Sequence, residues 1–190
     1  ITAIADFQNI PVCFILTKTD IKTDPEFENI YKNAGYLVLD KRKDFEKIKG
    51  LFKDKFCVLC GNSGVGKSTL INELSGLNLE TNETSKALGR GKHTTRVTEL
   101  YKVLDGLICD TPGFSDIESD IPKEQLQLCF PEFKDLILKC KFTGCSHTGE
   151  TGCAIVGNVP LSRLESYKEL YNEAKVRNKW DELRSVSGKR

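Results

Sequence analysis

Gly61, Asn62, Ser63, Gly64, Val65, Gly66, Lys67 and Ser68 fit the pattern G-x-x-x-x-G-K-[ST]. Glycines in such a run let backbone N–H groups turn inward around phosphate oxygens. Lys67 is spaced to reach the β and γ phosphates and the Ser68 hydroxyl to ligate Mg2+, with Thr69 extending the set. A helix starting at this point adds a dipole that favours anions. The chemistry implied is the binding of a nucleotide's phosphates.

Partners of that loop narrow the reading. Asp110-Thr111-Pro112-Gly113 follows the apolar residues 107–109, so Asp110 can hold Mg2+ through water and Gly113 can present its N–H to the γ phosphate. Between the two motifs lies Gly89-Arg90-Gly91-Lys92-His93-Thr94-Thr95-Arg96, a basic glycine-rich loop with the makings of a switch. Thr95, with Thr94 as its alternative, can ligate Mg2+ while the γ phosphate is present and release it after hydrolysis. Phe114 follows Gly113 where a water-orienting Gln is common in Ras-like enzymes. His93 is the candidate for that work, since an imidazole near neutrality can polarise water; packing or RNA contact is its alternative role.

Two segments compete for base recognition, Thr17-Lys18-Thr19-Asp20 and Asn178-Lys179-Trp180-Asp181. Only the second matches N-K-x-D literally. Guanine selection, however, needs a carboxylate fixed at the end of a core strand, where it accepts hydrogen bonds from the ring N–H and the exocyclic amine. Residues 11–16 form an apolar strand-like run, whereas residues 171–177 read as the end of a helix. Asp20 is therefore assigned to the base and the Lys18 stem to its face, with Thr17 standing where the motif has Asn. The nucleotide pair is then GTP and GDP. A phosphate-loop enzyme using ATP is the alternative if Asp20 does not meet the base.

Cys140-x4-Cys145-x-His147-x5-Cys153 places three thiolates and an imidazole within fourteen residues, a Cys3His set suited to structural Zn2+. Four protein ligands leave no position for water, so such an ion folds a module and does not catalyse. Cys57 and Cys60 also read as C-x-x-C, but in a strand residues three apart point to opposite faces. Cys13, Cys109 and Cys129 sit among apolar residues and read as buried thiols.

The order of these motifs, base loop, phosphate loop, switch threonine and Asp-Thr-Pro-Gly, is a circular permutation of the Ras-like arrangement. Together with Gly89 to Thr95 and the cysteine spacing, it closely resembles the RsgA, or YjeQ, family of GTPases that depend on the small ribosomal subunit. The resemblance covers nearly all of the chain. It implies hydrolysis of GTP to GDP and phosphate late in small-subunit maturation, with that subunit and its rRNA as partners. It also implies that the cysteine spacing is the family's zinc motif. Family members normally carry an N-terminal OB-fold, which the resemblance places before Ile1, outside these 190 residues. An RNA-binding module gated by nucleotide, with negligible hydrolysis, is the alternative that Phe114 leaves open.

These motifs require particular elements around them. The run from Pro11 to Leu16 suits a strand buried on both faces, Phe45, Ile48 and Phe52 mark an amphipathic helix over 44–54, and residues 56–60 form a strand into the phosphate loop. Leu70, Ile71, Leu74 and Leu77 continue as a helix. Asp105-Gly106 predicts a two-residue hairpin turn between 100–104 and 107–109, adding an antiparallel strand to an otherwise parallel sheet. Ser162 to Glu165 reads as the capping box of a last helix with Leu164, Tyr167, Tyr171 and Ala174 as its stripe.

The expected architecture is α/β, a permuted P-loop GTPase domain over 1–125 with a mostly parallel sheet flanked by helices, then a small zinc-binding α-helical module over 126–190. The 190 residues carry 28 Lys and Arg against 27 Asp and Glu, a net charge of +1, which gives no whole-molecule reason for nucleic-acid or membrane attraction. Basic residues in the tail from Lys175 to Arg190 suit either phosphate contacts with RNA or a solvated, frayed end, and those in 41–55 read as the exposed face of an amphipathic helix, with RNA contact as the alternative. No apolar run approaches the roughly 20 residues that span a bilayer. A cytoplasmic monomer is expected, and the opening at Ile1 in a chain without Met leads to the expectation that an N-terminal portion precedes it.

Overall fold

The computed structural model describes residues 1–76, 99–110 and 120–174. By contact these divide into two units that interleave along the chain. One comprises Phe14–Asp24 and Val38–Ile117; the other comprises Ile1–Cys13, Pro25–Leu37 and the residues from 118 onward.

In the first unit, a three-stranded sheet has the order β3-β5-β4, with β3 at Phe56–Leu59, β4 at Glu99–Val103 and β5 at Gly106–Asp110. β3 and β5 are parallel, in the register Phe56↔Leu107 to Leu59↔Asp110, while β4 and β5 are antiparallel. The expected antiparallel addition to a parallel pair is thus present. Helix α3, Phe45–Phe52, and helix α4, Lys67–Ser75, lie against this sheet, α3 on β5 and α4 on β4. They bury Ile48, Phe52, Leu70, Ile71 and Leu74, with Val103 and Ile108 from the strands. The period that marked α3 in the sequence is the face it buries.

The hairpin turn is shifted by one residue from its expected place. Leu104 and Asp105 occupy it, with φ of 48° and 63°, the two positive values of a type I′ turn. Gly106 already belongs to β5 and serves a different need: a Cβ there would lie 2.4 Å from the carbonyl oxygens of both Lys55 and Phe52. Only a residue without a side chain lets the segment after α3 pass this close.

Strand β1, Cys13–Leu16, pairs with β2, Leu37–Asp40. β1 is shorter than the apolar run and all four of its residues are half-buried, so the expectation of burial on both faces does not hold. Cys13 is accordingly half-buried, unlike Cys109 and Cys129, which are buried. β3 ends at Leu59, leaving Cys60 exposed just beyond it, and the Cys57 thiol donates to the Leu51 carbonyl at 3.7 Å.

The second unit holds helices α1, Thr2–Phe7, α2, Pro25–Asn33, and α5, Leu161–Glu173. Short 3-10 turns lie at Leu126–Cys129, Pro131–Phe133 and Ile137–Lys139. Ala3, Ile121, Leu126, Cys129, Phe130, Phe133, Ile155, Leu164 and Tyr167 form its buried core. Three rings meet there, Phe133 stacked on Phe130 at 5.1 Å and tilted against Tyr167 at 5.0 Å, with Tyr167 edge-on to Phe130. Within this unit Arg163, 4% exposed, is paired with Glu132 through Nε at 2.5 Å and Nη2 at 3.3 Å.

The capping box does not form, because the N-cap of α5 lies two residues earlier than expected. Pro160 is its N-cap, with no side-chain cap hydrogen bond, so Ser162 already lies inside the first turn. Leu164 and Tyr167 are buried as the stripe requires, while Ala174 is the C-cap.

Candidate functional site

β3 delivers the chain into the phosphate loop and α4 carries it away. Gly66, the residue before α4, has φ 99°, a left-handed conformation that glycine adopts without the steric cost a side chain brings. Lys67 opens α4, and its Nζ donates to the loop carbonyls of Gly61 at 2.7 Å and Asn62 at 3.1 Å. Its ammonium therefore already lies across the mouth of the loop. Ser68 is half-buried and Thr69 is exposed.

The base loop meets the phosphate loop directly. The Thr17 hydroxyl donates to the Val65 carbonyl at 2.6 Å, a contact between residues 48 apart, and a Cβ on Gly66 would lie 3.9 Å from the Thr17 side chain. Lys18 adopts φ 55°, an uncommon conformation for a residue with a side chain. Lys18 and Asp20 are exposed and Thr19 is half-buried.

Asp110 ends β5 directly beside Leu59, two residues before the loop begins. Its Oδ1 is buried and has no hydrogen-bond partner among the described residues. A buried acceptor of this kind is costly unless something satisfies it. An acceptor-only oxygen next to a phosphate loop fits a cation or a cation's bound water. Gly113, Phe114, His93, Thr94, Thr95 and the segment Asn178 to Asp181 lie outside the described residues.

The second site gathers Cys140, Cys145, His147 and Cys153, whose ligand atoms all lie within 4.8 Å of one another. His147 Nδ1 is 3.6 Å from Cys140 Sγ and 3.5 Å from Cys153 Sγ. Burial lowers the His147 pKa, against the opposing charge of Glu150, a direction that favours the lone pair a metal ligand needs. The donor set and its closeness fit one tetrahedral ion.

Two supporting residues escaped the sequence reading. Gln127 Oε1 is 2.8 Å from His147 Nε2; an amide oxygen accepts, so Nε2 carries the proton and Nδ1 faces the thiols. Glu150 accepts the N–H groups of Ser146 at 2.6 Å, Thr148 at 3.0 Å and Gly149 at 3.2 Å. The Ser146 hydroxyl bonds the same carboxylate and is the largest cause of its pKa falling to about 2. This carboxylate fixes the turn that carries His147, whose own φ is 59°. Tyr167 of α5 closes the turn from the core side by donating to the Ser146 carbonyl at 3.0 Å. Glu150 sits among the ligands in sequence and gave a weak signal there, whereas a lone Gln twenty residues before His147 gave none.

A family described as RsgA GTPase matches residues 2–120. The chain belongs to the RsgA GTPase family. The Small ribosomal subunit biogenesis GTPase RsgA 2 of Listeria innocua is 43% identical over 171 residues, covering 85% of this chain and 59% of that protein. The Small ribosomal subunit biogenesis GTPase RsgA of Clostridium beijerinckii is 41% identical over 194 residues, covering 93% of this chain and 67% of that protein. Among solved structures, that of YloQ, described as a circularly permuted GTPase, matches with 30% identity and a TM-score of 0.62. It covers 93% of this chain and 62% of that one. The chain thus has the permuted RsgA fold, and it spans 59% of the length of the Listeria relatives.

Proposed function

We propose that this chain binds GTP and hydrolyses it to GDP and phosphate in the cytoplasm as a monomer, acting in maturation of the small ribosomal subunit with that subunit and its rRNA as partners. The observation that carries the reading is the Thr17 to Val65 bond, which joins a base loop and a phosphate loop that follow one another in permuted order. The names of the relatives, small ribosomal subunit biogenesis GTPases, support the partner.

In this reading Gly61 to Ser68 hold the phosphates, with Lys67 turning from loop carbonyls to phosphate oxygens. Asp20 accepts from the guanine edge. Ser68, Thr95 and Asp110 would hold Mg2+, which supplies charge neutralisation at the phosphates, and the orphaned Asp110 Oδ1 fits that role. Gly113 offers its N–H to the γ phosphate, and His93 orients the attacking water. Cys140, Cys145, His147 and Cys153 would hold Zn2+, which supplies folding energy to residues 126–190 and takes no part in hydrolysis. By motif order residues 1–125 are the GTPase domain of this reading, although by contact Ile1–Cys13 and Pro25–Leu37 group with the zinc-binding part of the chain.

The test is affinity ranked for GTP, GDP, ATP and XTP, followed by single-turnover hydrolysis with and without small subunits. GTP and GDP should bind best, Asp20→Asn should turn preference toward XTP, and Asp181→Asn should change nothing. Subunits should accelerate hydrolysis, and His93→Ala should slow it more than it weakens binding. Preference for ATP would overturn the guanine assignment; hydrolysis that stays negligible with subunits present would favour a nucleotide-gated RNA-binding module.

A further inference from the structure

The turn that follows β2 is tied to the base loop by a residue with no role assigned so far. Asp40 ends β2, and its side chain is only 13% exposed. Its Oδ1 accepts the backbone N–H of Arg42 at 2.8 Å and the hydroxyl of Thr19 at 3.2 Å. The first bond is a local turn such as Asp makes in many loops. The second reaches a residue 21 positions away in the base loop, which a purely local role does not require.

Backbone and side chains brace the same turn from several directions. The Lys41 N–H donates to the Leu16 carbonyl at 2.9 Å, at the end of β1. The Lys41 ammonium donates to Glu73 of α4 at 2.7 Å. Asp44 Oδ2 accepts the Asp40 N–H at 3.2 Å, and the Asp44 N–H returns to the Asp40 carbonyl at 2.8 Å. Arg42 Nη1 lies 3.9 Å from Asp20 Oδ1, both side chains being more than half exposed. The turn is thus fixed to β1 and α4, and it faces the carboxylate expected to read the base.

We infer that Asp40 is a positioning residue for base selection: by accepting from Thr19 it fixes the backbone at Thr19 and Asp20, so that the Asp20 carboxylate stands ready for two donors on one base edge. This rests on the reading of Asp20 as the base carboxylate. A carboxylate that must accept two parallel hydrogen bonds tolerates little rotation. Thr19 is the residue next to it, and the neighbouring Lys18 is held at φ 55°. In this inference Asp40 acts through Thr19 and not on the nucleotide itself. Its effect should fall on the base and leave the phosphates alone.

The experiment measures affinities of the full 190-residue chain for GDP, XDP and inorganic tripolyphosphate, each with Mg2+. Tripolyphosphate meets the phosphate loop without a base. Asp40→Ala should weaken GDP about tenfold, the equivalent of one lost hydrogen bond, and leave tripolyphosphate unchanged. Asp40→Asn keeps an acceptor oxygen and should stay within about twofold of the native chain. Thr19→Val should repeat the Asp40→Ala loss, and the two together should cost no more than either alone.

Unchanged GDP affinity in Asp40→Ala overturns the inference, as does an equal loss of tripolyphosphate affinity or a fully additive double variant. If Asp40→Ala does not fold, Thr19→Val decides by the same criteria. Asp20→Asn separates the two levels. Should it fail to shift preference from GDP to XDP, the base-loop reading falls and this inference with it. Should it shift preference while Asp40→Ala and Thr19→Val do nothing, the role of Asp40 alone is wrong.

Discussion

The hydroxyl of Thr17 donates to the carbonyl of Val65 across 2.6 Å, so the end of β1 holds the middle of the phosphate loop. Thr stands here where the base motif has Asn, and a hydroxyl provides the one donor the contact needs. Thr17→Val keeps the shape and removes the donor. It should weaken GDP by about 1 kcal/mol, or roughly fivefold, and affect tripolyphosphate as well, since the phosphate loop itself is released. Thr17→Asn should remain within about twofold of the native chain, because its amide also donates. Titration with a fluorescent guanine nucleotide, competed by each ligand, gives both values.

Gly106 and Gly50 offer substitutions of opposite sign. A Cβ at Gly106 would lie 2.4 Å from the Lys55 and Phe52 carbonyl oxygens, whereas at Gly50, within α3, nothing lies within 4 Å. Gly106→Ala should destabilise by about 1–3 kcal/mol through overpacking. Gly50→Ala should stabilise by about 0.5–1 kcal/mol by lowering the backbone entropy of the unfolded chain. Urea denaturation of the two variants side by side reads the contrast.

Arg163 and Glu132 form a buried pair, with side chains 5% and 9% exposed. The guanidinium also lies 4.8 Å from the Phe130 ring centre and 5.2 Å from that of Tyr31. Arg163→Ala leaves Glu132 charged and unpartnered by that guanidinium, which should cost about 3–5 kcal/mol. Replacing both, as Arg163→Met with Glu132→Leu, should recover most of the loss because no buried charge remains. Thermal unfolding that is equally low for the single and double variants would contradict this account.

Gln127 should matter to the metal though it is not a ligand. Its contact with His147 Nε2 sets which ring nitrogen faces the thiols, and loss of such a partner typically lowers metal affinity by about 10–100-fold. Competition with a chromophoric chelator should show that drop for Gln127→Ala. Elemental analysis should find one zinc per native chain and none in Cys145→Ser. Metal removal should disorder the residues after about 130, read by proteolysis; a metal-free chain that resists protease there would make the four residues ordinary buried groups.

What could be read from the residues depended on how local each relation was. Gly61 to Ser68 and Cys140 to Cys153 carry their geometry within a dozen or so residues, so spacing alone disclosed both. The preference for Asp20 over Asp181 rests on a strand before it; β1 ends just before Thr17, while residues 178–181 lie outside the described ones. Helix α1 escaped notice because it is six residues long and buries only Ala3 fully, and α2 buries none of its residues fully. β2 is four residues long and shows only Val38 and Leu39 fully buried, too short for a period to register. The I′ turn at Leu104 and Asp105 was displaced because glycine in Asp105-Gly106 reads as a turn signal, while here it serves a steric need. Gln127 and Glu132 act through partners 20 and 31 residues away, a distance at which no local pattern survives.

The interleaving of the two units bears on the order in which this chain can fold as it leaves the ribosome that makes it. Ala3, Ile4 and Phe7 of α1 belong to one cluster with Leu126, Phe133, Leu164 and Tyr167, residues synthesised more than a hundred positions later. Helix α1 must therefore wait for its partners, while the described residues between 38 and 110 are translated and can already bury Ile48, Ile71 and Ile108. Synthesis alone, which proceeds at about 5–20 residues per second, separates α1 from Tyr167 by about 8–32 s.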